Sequence, residues 1–330
     1  MARTHADGSA YPRRAIYCIA DRRYFLGAVA LINSLRLSGN GEPVFVLDCG
    51  LDDEQRTILT REATLIPADP TVSEERLSLP FLMRARAPLA NPAQTMLLLD
   101  CDIVVTRSLD PLFEQGEQGK VVAFADALPQ RFSPRWESEL GLPSIRQQPY
   151  VNTGCIVLPL DPGRDLLERL DQSIPLVDAS RSFWRAGNPD DPFFFLDQDI
   201  MNALLGSVIR RDELIVLGHE LAPHPPFDHL ACDPATLTCV SMEGENPFLL
   251  HHVMQKPWLD FVAPNPYTAL LGRLLLGSDV PLRLGATEVP LRLRSGGPAA
   301  VARSAVVVHT QARRLRRALR LRRSRAAAAT

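Results

Sequence analysis

No segment of this 330-residue chain offers the roughly 18 consecutive apolar residues that a membrane-crossing helix requires, so no span is expected. A glycine-rich phosphate loop of the P-loop or dinucleotide type is also missing, as is any internal repeat, which removes those nucleotide-binding classes and repeat arrays from consideration. Residues 1–14 are polar and lack the apolar core of a secretory signal, and a cytoplasmic location is the expectation. Cysteines number six. Cys18, Cys49, Cys101 and Cys155 lie in or beside apolar runs, as small buried hydrophobes do, and Cys232 and Cys239 have no second pair at zinc-site spacing, which argues against a structural zinc. What is present is an ordinary globular balance: 46% hydrophobic and 22% charged residues, enough to build a large α/β domain and too apolar for wholesale disorder.

Charge is distributed unevenly. Eleven arginines, no lysine and no acid follow Glu288, so a whole-chain charge of −2 leaves −13 on residues 1–288. Within this tail Arg313, Arg314, Arg316, Arg317, Arg320, Arg322, Arg323 and Arg325 accompany Val308, Ala312, Leu315 and Leu319 at helical spacing. The pattern is that of a short basic amphipathic helix able to lie on an anionic membrane surface, with a solvated tail as the alternative. Nucleic acid is not an expected partner, because the acidic body opposes a polyanion and no aromatic-interleaved basic patch accompanies the arginines. The expected organisation is a polar N-terminal extension over 1–13, one domain over 14–285 and the basic tail over 286–330, with the Pro- and Gly-containing stretch 285–298 as the linker.

Hydrophobic patterning predicts alternating elements: a strand over 14–20, a helix over 24–37, a strand over 43–48, a helix over 52–60 and a strand over 63–66, which together indicate a mainly parallel sheet with helices on both faces. Further strands are predicted over 121–126 and 155–160, with Asn152-Thr153-Gly154 before the latter, and over 248–250, and a helix over 197–205. The most informative stretch is Met96-Leu97-Leu98-Leu99-Asp100-Cys101-Asp102-Ile103-Val104-Val105, two carboxylates one residue apart inside an apolar run. In open α/β sheets ligands bind beyond the carboxyl ends of such strands, and paired carboxylates there need a compensating cation, with oxygen ligands suiting Mg²⁺ or Mn²⁺. The alternative is a strand end bearing one capping and one solvated aspartate.

Several features then fall in an order that one family shares. They are Ala20-Asp21-x-x-Tyr24, Arg84-x-x-x-Pro88, Leu99-Asp100-Cys101-Asp102, Asp126, Asn152-Thr153-Gly154, Asp197-Gln198-Asp199-Ile200-Met201-Asn202 and His251-x4-Lys256-Pro257-Trp258. Over residues 14 to about 260 the chain resembles glycosyltransferase family 8, the retaining enzymes that include bacterial lipooligosaccharide galactosyltransferases and glycogenin.

The resemblance implies a GT-A fold, a single Rossmann-like nucleotide-sugar-binding α/β domain with a mixed, mainly parallel sheet. It implies a UDP-sugar donor, with Asp21 on the uracil edge, Tyr24 stacked on the ring and Arg84 on the diphosphate or sugar, the neighbouring Arg86 being the competing choice. It implies Mn²⁺ (or Mg²⁺) held by Asp100, Asp102 and a histidine, His251 being favoured because it directly follows the strand, with His252 as the alternative. Asp126, Asn152, Gly154 and Asp197 fall on the donor-sugar side, Lys256 on the diphosphate, and Gln198 on the face opposite the leaving group. An amide is a poor nucleophile, which favours front-face substitution over a covalent glycosyl intermediate. The chain departs from the family's His-x-x-Gly-x-x-Lys-Pro-Trp by one missing residue and the missing glycine. His219, His224 and His229 are read as acceptor-side or exposed.

The expected activity is transfer of a hexosyl group, galactose or glucose, to an acceptor hydroxyl on a carbohydrate or glycolipid, as in surface-polysaccharide synthesis, with the tail on the inner face of the cell membrane. Two other readings compete. A haloacid-dehalogenase-like phosphatase would use Asp100 as nucleophile, but that motif normally closes the first strand of its domain and here about four elements precede it; a nucleotidylyltransferase would need the absent glycine-rich loop. A non-catalytic nucleotide-sugar-binding scaffold has only the altered histidine segment in its favour.

Overall fold

Seven strands form one twisted sheet in the order β3-β2-β1-β4-β7-β6-β8, in the computed structural model, which describes residues 10–69 and 79–294. They are β1 (Arg14–Ala20), β2 (Val44–Asp48), β3 (Thr64–Pro67), β4 (Thr95–Leu99), β6 (Val121–Ala125), β7 (Val151–Pro159) and β8 (Leu214–Leu217). Only β7 runs against its neighbours; every other pairing in the sheet is parallel. This is the α/β arrangement that the alternating pattern predicts, with the mixed, mainly parallel sheet that the resemblance implies. The parallel strands β1, β4 and β6 point their carboxyl ends to the same edge, and there the antiparallel β7 begins. Asp21, Asp100, Asp126 and Asn152 are thereby brought from four separate stretches to one rim.

The two faces of the sheet are filled by alternate residues of the same strands, as a period of two requires. Ile16, Cys18, Ala20, Leu97 and Leu99 face one hydrophobic cluster, and Ala15, Tyr17, Met96 and Leu98 face the other. On the first face lies α1 (Phe25–Leu37), whose apolar run is buried almost throughout. The short helix α2 (Asp53–Leu59) opens with a capping box between Asp52 and Gln55. Then come α3 (Arg86–Ala90), α4 (Asp110–Glu117) and α5 (Arg135–Leu140), while α6 (Leu160–Ser173) and α7 (Asp197–Val208) pack together on the second face. Strand β7 starts four residues earlier than the pattern indicates, so Asn152-Thr153-Gly154 is part of the sheet; polar residues at a strand end break the apolar signal from which strands are read.

After Asp100-Cys101-Asp102 the chain turns into β5 (Ile103–Val105), which leaves the main sheet and pairs antiparallel with β11 (Leu249–His251) in the register His251↔Ile103. That pairing carries His251 across 149 positions of sequence to the side of Asp102. A last helix, α8 (Pro266–Leu276), locks onto α1 through buried Asn33, whose amide donates to the Leu274 and Leu282 carbonyls and accepts from the Leu282 N–H. Residues 286–294, inside the stretch expected to begin the tail, pack on this body: Val289 and Leu293 are buried, and Arg292 donates to the Pro257 carbonyl. The arginine-rich stretch over 308–325 lies outside the described residues.

Four cysteines are free and buried, as their apolar settings predict; Cys232 and Cys239 instead form a disulfide between the paired strands β9 (Leu230–Cys232) and β10 (Cys239–Ser241). Spacing alone did not distinguish that bond from two free thiols, because it depends on the register Cys239↔Cys232. Among the described residues no helix is long and apolar enough to cross a membrane.

One glycine matters to the site's frame. A Cβ on Gly27 would run into the Cys101 carbonyl and lie 2.8 Å from the Trp258 ring, so α1 can touch the Asp100–Asp102 turn only without a side chain there. Gly27→Ala is expected to destabilise the fold by about 1–3 kcal/mol through overpacking. Urea denaturation checks this, and an unchanged midpoint would contradict the close docking.

Candidate active site

The rim is densely charged. Arg84, at the end of a 3-10 turn begun by Pro80, is buried and reaches inward: its Nη1 donates to the Thr153 carbonyl at 2.5 Å, its Nη2 to Asp100 Oδ1 at 3.1 Å, and its Nε lies 2.8 Å from Asp197 Oδ2. Arg86, the competing choice, points elsewhere, to Asp171 on α6 at 3.2 Å. Burial pushes the Asp197 carboxyl up to about 6, the neighbouring Arg84 charge offsetting only part of that desolvation.

Asp102 is buried and Asp100 stands beside it, partly open. His251 Nε2 lies 3.0 Å from Asp102 Oδ1 and 3.7 Å from Asp100 Oδ2. Ligand atoms of all three residues lie within 4.8 Å of one another, the spacing expected around one cation. The set fits a divalent metal on two further grounds. Asp102 Oδ1 makes no hydrogen bond although it is buried. The orientation of His251 is fixed from behind, its Nδ1 lying 3.1 Å from Asn152 Oδ1. Since an amide oxygen only accepts, Nδ1 is the donor in this contact, and the ring is held with Nε2 facing the carboxylates, the second-shell arrangement usual for metal-binding histidines. Gly154 makes room for the ring: a Cβ there would strike His251 Cε1 and come within 2.7 Å of Nδ1.

His252 has a different fate. Its backbone N–H donates to the Asp102 carbonyl, while its ring is buried beside Phe227 and Tyr267, neither ring nitrogen finding a partner. Burial and the Lys256 charge pull its pKa down to about 4. Lys256 itself is buried, ion-paired with Asp102 Oδ2, and donates to the His252 carbonyl at 2.9 Å. Burial alone would raise the Asp102 pKa, yet Lys256 and His251 together hold it well below the usual carboxylate range.

A second cluster adjoins the first. Asn152 Nδ2 donates to Asp126 Oδ2 at 3.0 Å and to Gln198 Oε1 at 3.2 Å, Thr153 N–H donates to the same Gln198 oxygen at 3.3 Å, and Gln198 Nε2 donates to Asp126 Oδ2 at 3.3 Å. The Asn152 oxygen accepts from Gly154 N–H and meets His251 Nδ1, so this one side chain joins the Gln198–Asp126 pair to His251. Asp197 and Gln198 open α7 just after Leu196, whose φ of 47° is uncommon for a branched residue and marks backbone strain at the helix start.

Sequence reasoning missed the residues that hold this helix. Arg131 grips Asp199 through two parallel hydrogen bonds of 2.6 and 2.8 Å, and Tyr150 donates to the same carboxylate at 2.7 Å. Asn202 brackets Val151, accepting from its N–H and donating to its carbonyl. The chain of alternating residues Asp197-Gln198-Asp199 thus splits, the first two facing the rim and the third buried as a structural anchor; nothing in the loop around Arg131 announces its partner.

At the uracil end expected from the resemblance, Asp21 Oδ1 accepts from Tyr24 N–H at 2.8 Å, and the Tyr24 ring meets Trp258 edge-on at 6.1 Å. Met254, where the family pattern counted from His251 places glycine, adopts φ 72°, the left-handed conformation for which glycine is the easy choice. His219 and His224 form a ladder ending 5.2 Å from the His251 ring, so His224 belongs to the surroundings of His251. Past Asp126, Leu128, Gln130, Arg131 and Asp190 line an open cleft of about 540 Å³.

The model of the family described as glycosyl transferase family 8 matches residues 15–261. Among solved structures, the galactosyltransferase LgtC in complex with donor and acceptor sugar analogues aligns over 80% of this chain and 98% of its own, at 17% identity and a TM-score of 0.51. The glycosyltransferase GlyE of Streptococcus pneumoniae TIGR4 aligns over 82% of this chain and 62% of its own, at 18% identity and a TM-score of 0.53. At these identities the likeness establishes the fold. No curated protein matches the sequence.

The buried neutral His252 has a pH signature. Its folded-state pKa of about 4 lies below the ordinary 6.5, so between these values the unfolded chain binds the extra proton and stability falls as pH falls. In EDTA, going from pH 7.5 to 5 should cost the wild type about 2 kcal/mol more than His252→Leu, measured by urea unfolding; parallel losses in the two proteins would contradict the placement of His252.

Proposed function

The chain belongs to glycosyl transferase family 8, and we propose that it is a retaining enzyme moving a hexosyl group from a UDP-sugar to an acceptor hydroxyl, with Mn²⁺ or Mg²⁺ held by Asp100, Asp102 and His251. The observation that carries this reading is the continuity of the two clusters through Asn152: a cation-ready carboxylate–histidine set and a fixed amide–carboxylate set share one side chain. A bound divalent cation would stabilise the negative charge that builds on the departing diphosphate.

The remaining work falls to the chain's own groups. Arg84 and Lys256 supply positive charge beside the carboxylates, where the diphosphate would lie. Asp21 and Tyr24, at the end of β1, flank the base. Asp126 and Asp197 offer acceptors for sugar hydroxyls. Gln198, with both ends of its amide engaged, is oriented so that its carbonyl dipole can favour positive charge developing at the anomeric carbon, and no carboxylate need become a nucleophile. In this reading the acceptor enters from the cleft beyond Asp126.

Galactose and glucose are the proposed sugars, and the proposed setting is glycolipid or surface-polysaccharide synthesis on the cytoplasmic face of the membrane, where the arginine-rich tail meets anionic lipid. UDP release from a panel of UDP-sugars, with Mn²⁺ and with EDTA, tests the activity. Asp102→Ala should lower metal-dependent release by on the order of 10²-fold or more; release at the wild-type rate would refute the assignment. For the tail, a chain ended after Arg294 keeps the packed residues 286–294 and should lose binding to vesicles containing anionic lipid while retaining donor hydrolysis. Equal vesicle binding by the shortened chain would refute the membrane role.

A further inference from the structure

Asp102 has a different neighbour at each oxygen. Oδ1 faces His251 Nε2 at 3.0 Å, and Oδ2 is ion-paired with Lys256 Nζ, whose side chain is only 5% exposed. The same ammonium is fixed by the His252 carbonyl at 2.9 Å and lies 6.0 Å from the centre of the Tyr24 ring. A positive charge built into the chain therefore already compensates the carboxylate that a divalent cation would need, and in a site so withdrawn from water two like charges sharing one carboxylate repel strongly.

The local chain explains why the lysine sits there. Only four residues separate His251 from Lys256. The short strap makes its turn with Met254 in the left-handed conformation, and the Lys256 N–H is fastened to Asp260 Oδ2 at 2.8 Å. Its side chain is thus held over Asp102.

We propose that Lys256 is an exchangeable counter-cation: without nucleotide its ammonium neutralises Asp102, and when a nucleoside diphosphate binds, the ammonium passes to phosphate oxygens and frees Asp102 for the divalent metal. This rests on the reading that Asp100, Asp102 and His251 hold the metal and that the donor carries a diphosphate. No covalent bond changes; one ion pair is traded for another. Metal and diphosphate then bind interdependently, each clearing or rewarding the position the other needs, and linkage makes the effect reciprocal.

The test uses the full chain and Mn²⁺, followed by electron paramagnetic resonance with and without UDP, in wild type and Lys256→Met. Mn²⁺ alone should bind Lys256→Met at least about 5-fold more tightly than wild type, and the tightening of Mn²⁺ binding by UDP should shrink by a similar factor in the variant. Equal or weaker Mn²⁺ binding by the variant, with wild type still binding Mn²⁺ in the presence of UDP, overturns the exchange and leaves the metal assignment standing. Wild type that binds no Mn²⁺ even with UDP overturns both. A second measurement needs no variant. The chain has only two lysines, Lys120 and Lys256, so ¹⁵N-lysine labelling yields two side-chain ammonium signals. Adding UDP with Mg²⁺ should move that of Lys256 and leave that of Lys120; a Lys256 signal unmoved at saturation overturns the proposal.

Discussion

Two aspartates separated by a single residue, brought to the end of a buried strand, are the constraint from which the rest of this structure follows. Their charges cannot be withdrawn from water uncompensated. Arg84 answers Asp100 from a segment before β4; Lys256 and His251 answer Asp102 from about 150 residues later. Each partner needs its own scaffolding: the β5–β11 pair for His251, the short strap for Lys256, a 3-10 turn for Arg84. Even the backbone of the aspartate turn is used, since the Asp102 carbonyl accepts from His252 N–H and Tyr267 hydroxyl, and Asp100 N–H donates to the Gly154 carbonyl.

From that pair the order spreads through Asn152. Its oxygen sets the face that His251 shows to the carboxylates, and its amide nitrogen sets Gln198 and Asp126. One side chain on the antiparallel strand of the main sheet therefore couples what would bind a diphosphate to what would meet a sugar. The antiparallel direction of β7 is what makes this possible, because a strand beginning at the rim presents its first residues where its parallel neighbours present their last. Behind the rim, Arg131, Tyr150 and Asn202 hold α7 against β7, so that the strained turn at Leu196 delivers Asp197 and Gln198 in a fixed position.

Much of this was legible in the amino-acid order, for physical reasons. Strands β1, β2, β4 and β6 are apolar runs bounded by polar turns, and their limits follow from the pattern to within a residue or two. Asp100 and Asp102 could be nominated because strand ends and metal-ligating residue types are local properties, whereas His251 followed only from the family resemblance. What depends on three-dimensional register stayed hidden: the aromatic burial of His252, the Cys232–Cys239 bond, and Arg131, whose partner lies 68 residues away. The roles of Asn152 and Gly154 were the subtlest. The resemblance assigns them to the donor; in this fold the Asn152 oxygen and the bare Gly154 backbone also lie against the His251 ring, a contact no spacing rule encodes.

In the proposed reading Asp100, Asp102 and His251 form a divalent-metal centre that serves a nucleoside diphosphate. Calorimetric titration of UDP into the folded, full-length chain measures it most directly, once with Mn²⁺ and once with EDTA. Saturable binding that is strong with Mn²⁺ and largely lost in EDTA is the predicted result. A folded protein that fails to bind UDP in the presence of Mn²⁺ would contradict the claim.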